Sequence, residues 1–553
     1  MSSSRPLPLS APSSGGLQVV WLKRDLRLHD HQPLAEAARR GPVLPLFVYE
    51  PDLLASAEFD PSHFTCLRTS LRELAAGFEQ RGARLAFRVG EVTEVLEAIH
   101  RRQPIAALWS HQETGNDLTY RRDRQVGRWA RERGVPWHQP RQHGIVRALK
   151  DRDGWAKQWN QLMARPLVPV PPRFLGAQEL PAFADFDFEG PREAGELGIG
   201  PDTKDLAWAG GEAAGREVLE SFLAHRGVDY RKAMSSPVTA ADACSRLSHH
   251  LAFGTISLRE VYQRARDHRE ELKQRRKAGE SIDPRWVPSI SSFLSRLRWH
   301  CHFMQKLEDE PQLEFHNLCR AYDGLREGDF RQDRFDAWCA GETGYPMVDA
   351  CMKALHRGGW INFRMRAMLA SFAAYHLWLH WRPTSVYLAR HFLDFEPGIH
   401  FSQFQMQSGV TGINSIRVYS PAKQVLDQDP EGVFIRRWLP ALESVPKAYL
   451  SEPHRMPEEL QRKVGCVIGK DYPAPLVDHR QAVSEAKSKI YARRRQPETR
   501  AAAEEVYRRH GSRRRPPQRG RRAQSAKSSA KSSADRPALQ PARDEKQLTL
   551  PTA

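Results

Sequence analysis

Apolar and polar positions follow two regimes along the chain. Up to about residue 140, short apolar runs alternate with helical patterns. Residues 17–22 (LQVVWL), 43–50 (VLPLFVYE), 83–89 (ARLAFRV) and 105–110 (IAALWS) are strand-length runs, and 135–139 (VPWHQ) is a weaker fifth. Residues 67–82 and 92–102 between them carry helical periodicity. Strands with no polar face, alternating with helices, predict a doubly wound α/β domain over 17–164, its parallel sheet covered on both faces. No GxGxxG follows the first run, so the simple dinucleotide fingerprint is absent.

Residues 165–212, rich in Pro, Gly and acids, read as a connector. From 213 to 495 helical patterns dominate, giving an all-α second domain. The clearest is 360–381, where Ile361, Met365, Met368, Phe372, Tyr375 and Leu379 recur at spacings of three and four. Ala367, Ala370, Ser371 and Ala374 form a ridge of small residues beside that stripe, open to a flat cofactor or to another helix. Residues 496–553 lack the apolar content for a core and predict a disordered basic tail; residues 1–16 read as a disordered leader, with a short organellar transit sequence as the alternative.

The net charge of +18 is shared between tail and folded part: residues 496–553 hold fourteen Lys and Arg against six Asp and Glu. An anionic partner follows, nucleic acid first. Seven scattered cysteines without a CxxC argue against a disulfide framework and a local metal motif, and fit a reducing compartment. No apolar run reaches membrane-spanning length. A bacterial cytoplasmic location is the expectation, with organellar and nuclear locations open.

Five ordered segments carry a resemblance: VVWLKRDLRLHDH (19–31), SRLSHHLAFGTIS (245–257), GETGYPMVDACMKALHRGGWINFRMR (341–366), EGVFIRRWLPAL (431–442) and IGKDYPAPLVDH (468–479). Together they resemble the DNA photolyase and cryptochrome family over roughly 17–495. The resemblance implies an α/β antenna domain, a helical domain holding FAD, a monomer, and a cavity for a pyrimidine dimer flipped out of DNA. A second antenna chromophore, its identity open, belongs to the same expectation.

Carried over residue by residue, the resemblance assigns flavin contacts to Tyr230, Ser245, Arg246, Leu247, Ser248, His300, Phe363, Arg366, Asp394, Glu396 and His400. Short hydroxyls and backbone N–H groups at a helix start suit phosphates, although Ser245 and Ser248 also read as helix caps, and Cys244 stands where Thr is usual. Arg366 with Asp394 suits an anionic reduced flavin, or a plain buried ion pair, and Arg364 is an alternative partner for Asp394. The segment around His400 departs from the family pattern, so its register holds only to about a residue.

The catalytic positions fall on Arg296, Trp299, Trp381, Phe404 and Met406, several of them unusual. Arg296 stands where a glutamate commonly contacts the thymines, His300 replaces an arginine, and Met406 replaces a lesion-stacking tryptophan. Of the family's three electron-relaying tryptophans only Trp381 is kept; the inner position is Phe404 and the outer falls near Gly328. Trp338, Trp378, Tyr375 and Tyr387 are other aromatics that could relay electrons, or plain core residues. His300-Cys301-His302 is no metal set, because side chains two apart diverge on a helix. Arg246, Arg298 and Lys423 are candidates for phosphate contact. The terminal Gln547-Leu548-Thr549-Leu550-Pro551 resembles a sliding-clamp peptide. The reading is light-driven repair of pyrimidine dimers, cyclobutane dimers as the expected lesion, by electron transfer from reduced FAD; the rivals are a cryptochrome photoreceptor and a nucleic-acid-binding protein without photochemistry.

Overall fold

The computed structural model describes residues 15–205 and 209–511. The leader up to residue 14 and the basic segment beyond 511, with its clamp-like peptide, lie outside them.

Five parallel strands form one sheet in the order β3-β2-β1-β4-β5: β1 Leu17–Leu22, β2 Val43–Tyr49, β3 Ala86–Val89, β4 Ile105–Trp109 and β5 Trp137–His138. Every residue of β1 and β2 is buried, as two covered faces require. Val19 and Trp21 join one core with the helix Val92–Arg102, whereas Val20 and Leu22 join another with the helix Pro61–Glu79. The expected connector is no loose linker: Ala177, Phe183 and Phe188 complete the first core. The helix Trp155–Met163 packs with the helical side, sharing a core with Leu219, Phe222 and Ile290.

Beyond residue 211 the described elements are α-helices, 3-10 turns and one π turn, apart from an isolated bridge between Ile468 and Tyr472. Two expectations are corrected. The helix expected over 360–381 is α-helical only over Phe363–Ser371. It then passes through a π turn at Phe372–His376 and breaks before a new helix, Trp381–His391. The whole apolar stripe is nevertheless buried; burial fixes which side chains point inward but not whether the backbone between them is continuous. At the break Trp378 takes a left-handed φ of 56°, and its indole N–H donates to Asp329 at 3.1 Å. Order also continues past residue 496: Pro497–His510 is a helix, with Thr499, Val506 and His510 buried. Arg509 pairs with Glu310 there. His510 lies within the electrostatic reach of Arg152 and Lys306, and burial and those two charges drive its pKa down to about 3.

The turn after β1 joins sheet to helices. Arg24 donates to the carbonyls of Ala252 and Phe395, each at 2.7 Å, and Arg27, 1% exposed, donates to Gly254 at 2.9 Å. Glu212 accepts from the backbone N–H groups of Leu28 and His29. Asp30 accepts from Ser257 and Arg259. Asp25 is buried and accepts from the Lys23 N–H (2.8 Å), His31 Nε2 (3.1 Å) and His111 Nδ1 (2.7 Å). Because the Leu34 N–H donates to His31 Nδ1, Nε2 carries the His31 proton, and the trio is a hydrogen-bonded cluster.

Gly254 closes this junction with φ of 67°, and a Cβ there would sit 2.1 Å from the Arg24 carbonyl oxygen. Gly254→Ala should therefore destabilise the fold by about 2–4 kcal/mol, from left-handed strain and overpacking together. Urea denaturation of the variant against the wild type measures it.

Candidate functional site

Two chain segments converge on Asp394. Arg366, in the helix Phe363–Ser371, grips it with two parallel bonds of 2.9 Å, and Ser248, at the start of the helix Ser248–Phe253, donates its hydroxyl. Burial opposes ionisation of Asp394, but the Arg366 charge and these donors hold its carboxyl below the usual range. Arg366 is fixed further by its bond to the Ile361 carbonyl (2.7 Å) and by the Phe392 ring 4.0 Å away. Arg366, not Arg364, is thus the partner of Asp394. The Arg246 guanidinium lies 3.8 Å from the Trp360 ring, and burial lowers its pKa to about 9, with Asp394 among the charges opposing that shift. Arg246 has a left-handed φ of 61°, a backbone conformation that a non-glycine residue rarely adopts.

Tyr230 and Arg296 share a hydrogen bond, and burial raises the Tyr230 pKa, so the phenol stays protonated. Arg296 also reaches over Phe363, 5.5 Å from its ring, and Phe363 is 45% exposed. Tyr230, Arg296 and Phe363 thus form one contact set and Arg246, Ser248, Arg366 and Asp394 another, with Cys244 in electrostatic reach of Tyr230, Arg246, Arg296 and Arg366. Ser245 is placed differently: its hydroxyl accepts from the Leu247 N–H at 3.5 Å, a local turn bond, while Leu247 is buried. Trp299 is half-buried against His302 and Phe303 (5.1 and 5.5 Å). His300 faces His143 at 5.7 Å, and burial lowers its pKa to about 4. Met406 is half-buried.

His400 commits Nε2 to the Ser385 carbonyl at 2.7 Å and lies 4.7 Å from the Phe404 ring. Burial lowers its pKa to about 4, so it is neutral near pH 7. Aromatic contact continues from His400 to Phe401 (5.7 Å) and from Phe401 to Trp381 (6.5 Å). Trp381 is fully buried, with its indole N–H on Asn317 at 2.8 Å. Trp338 and Tyr387 form a separate aromatic pair at 6.0 Å.

Sequence reasoning missed Arg24, Trp360 and Asn362. Arg24 lies 3.6 Å from Glu396. Asn362 donates to the Met234 and Ser235 carbonyls while its Oδ1 is buried without a partner, as is Glu396 Oε1. Such unfilled acceptors suit the N–H and hydroxyl groups of a polar cofactor, and with the Arg366–Asp394 pair they fit a flavin. The charged stretch KRDLR (23–27) and the WIN tripeptide (360–362) were the available signals.

A cavity of about 210 Å³ opens at the carboxyl ends of β1 and β2, beside β1 where the strand order reverses. Lys23, Glu50, Glu113 and Arg122 line it from the sheet side, and Phe395 from the helical side. Arg122 pairs with Glu50 at 2.8 Å and Glu113 at 2.6 Å.

Two family models match the chain: DNA photolyase over residues 18–153 and the FAD binding domain of DNA photolyase over 293–492. A deoxyribodipyrimidine photo-lyase of Streptomyces griseus is 30% identical over 491 residues, 84% of this chain and 97% of that protein. A Cryptochrome DASH of Gloeobacter violaceus is 27% identical over 505 residues, 86% of this chain and 95% of that protein. The crystal structure of a bacterial class III photolyase from Agrobacterium tumefaciens superposes with a TM-score of 0.74 at 24% identity, covering 89% of this chain and all of that one.

Burial raises the Glu396 pKa from 4.5 to about 7, with Arg24 opposing the shift. A raised carboxyl pKa favours the folded state at low pH, and its cost develops as pH rises from 4.5 through 7. Glu396→Gln should therefore match the wild type in stability near pH 4 and exceed it by up to about 3 kcal/mol at pH 8. Denaturation of both proteins at the two pH values measures the difference.

Proposed function

Because the chain belongs to the DNA photolyase and cryptochrome family and carries its FAD-binding region, we propose that it repairs pyrimidine dimers in DNA with light, cyclobutane dimers first. Reduced FAD, when bound, supplies the light-excited electron that splits the dimer. The chain's residues do the rest. Asp394 fixes the Arg366 guanidinium, which would offer its positive charge to a reduced flavin. Asn362 Oδ1 and Glu396 Oε1 offer buried acceptors to the cofactor. Tyr230 holds Arg296.

The observation that carries the repair reading is the Arg296–Phe363 pair. An exposed ring beneath a guanidinium offers a flipped base a stacking surface and its phosphate or carbonyl a charged donor. The aromatic run from His400 to Trp381 also favours repair. Phe401 and Phe404 are hard to oxidise, which hampers photoreduction of the flavin from solution, the step a photoreceptor of this kind depends on. Splitting by an already reduced flavin does not need that run. The cavity at the strand ends is suited to an antenna chromophore, its polar groups held by Arg122 and Lys23.

With its flavin chemically reduced, the illuminated protein should restore thymine absorbance to an oligonucleotide carrying cyclobutane dimers. Bound flavin with no recovery, on cyclobutane and six-four lesions alike, would point to the photoreceptor instead; a colourless protein would discard both. Arg296→Ala should weaken binding of the damaged oligonucleotide about tenfold or more, the worth of one charged hydrogen bond, while flavin content is kept.

A further inference from the structure

The two C-terminal helices enclose a groove that contributes nothing to the flavin site. It is open, has a volume of about 560 Å³, and is lined by Ser488, Tyr491, Arg494, Arg495 and Arg500. Ser488, Tyr491 and Arg495 fall at spacings of three and four on the helix His479–Arg495, so they share one stripe. The opposite stripe, Ala486 and Ile490, is buried in the core. Arg500 comes from the following helix, Pro497–His510, across the turn at Gln496.

Two features separate this groove from an ordinary solvated face. Tyr491 is 45% exposed, an aromatic ring left in water among cations. Arg494, Arg495 and Arg500 also have no acidic partner among the described residues, although the protein pairs its charges widely; on the same two helices Lys489 pairs with Asp329, Arg508 with Glu505, and Arg509 with Glu310. Three uncompensated guanidinium groups around a presented ring combine phosphate contacts with a stacking platform.

We propose that this groove binds single-stranded nucleic acid, one base stacking on Tyr491 and the flanking phosphates on Arg494, Arg495 and Arg500. Stacking on an exposed ring needs an unpaired base, which favours a single strand over a duplex, and a lining whose acceptors are only the Ser488 and Tyr491 hydroxyls favours binding with little sequence preference. An acidic peptide would use the arginines but not the ring. The site goes beyond dimer repair and does not depend on it, since it would act in the dark and on undamaged strands.

The test uses the full chain, basic C-terminal segment included, and fluorescence anisotropy of a labelled undamaged oligothymidylate in the dark. Tyr491→Ala should weaken binding about fivefold or more, and Tyr491→Phe should restore it. Replacing Arg494, Arg495 and Arg500 together by Gln should lower the slope of log affinity against log salt by about 2. In the wild type, an oligonucleotide carrying iodouracil should photocross-link to the peptide containing Tyr491, a readout that no folding defect of a variant can mimic. Unchanged affinity and slope in the variants, a cross-link elsewhere, or competition by polyglutamate equal to that of oligothymidylate at the same charge would overturn the proposal. Light-driven repair, assayed separately on damaged duplex, fails or succeeds independently of these results.

Discussion

The structure depends on a charged turn made at home in the interior. Lys23–His31 leaves the end of β1 and enters the seam between sheet and helices, carrying Arg24, Asp25, Arg27 and Asp30 with it. Ions buried there are tolerable only because each is matched: the arginines by carbonyls freed at helix ends, the aspartates by hydroxyl, imidazole and guanidinium donors. An apolar seam could slide. This one holds a single register, because any shift would strand several charges at once. Gly254 makes the fit possible by letting its backbone lie against that of Arg24.

That register reaches the site. Arg24 binds the Phe395 carbonyl and stands beside Glu396, in the segment that supplies Asp394. Asp394 in turn sets Arg366, which the Ile361 carbonyl and the Phe392 ring hold from other sides. The arrangement is preorganised through contacts made by the fold itself, and the acceptors left over, on Asn362 and Glu396, are those a polar ligand would use.

The sheet was legible because buried parallel strands are apolar on both faces and few other elements look so; even the two-residue β5 showed as a weak run. Arg366 was legible at the end of a long motif, and Asp394 only as its expected partner from the family resemblance. The break after His376 was not, because the π turn and the loop beyond it keep the same side chains buried as a continuous helix would. The helix Pro497–His510 hid among charges: Thr499, Val506 and His510 sit seven and four apart, a stripe too sparse to outweigh the composition. Arg24 was overlooked because its partners are backbone carbonyls and a glutamate hundreds of positions away, which no local pattern records.

The helix Pro497–His510 bears on where this chain can be cut. His510 in its last turn lies within electrostatic reach of Lys306 and Arg152, both buried, and Lys306 belongs to the helix Trp286–Asp309 that also carries Arg296 and Trp299. A shortened protein ending at residue 495, the boundary that composition recommends, would wet that cluster and loosen the far end of the helix bearing Arg296. Trimming after Gly511 instead would keep the helix Pro497–His510, so the ordered body reaches at least sixteen residues past the edge its charge pattern suggests.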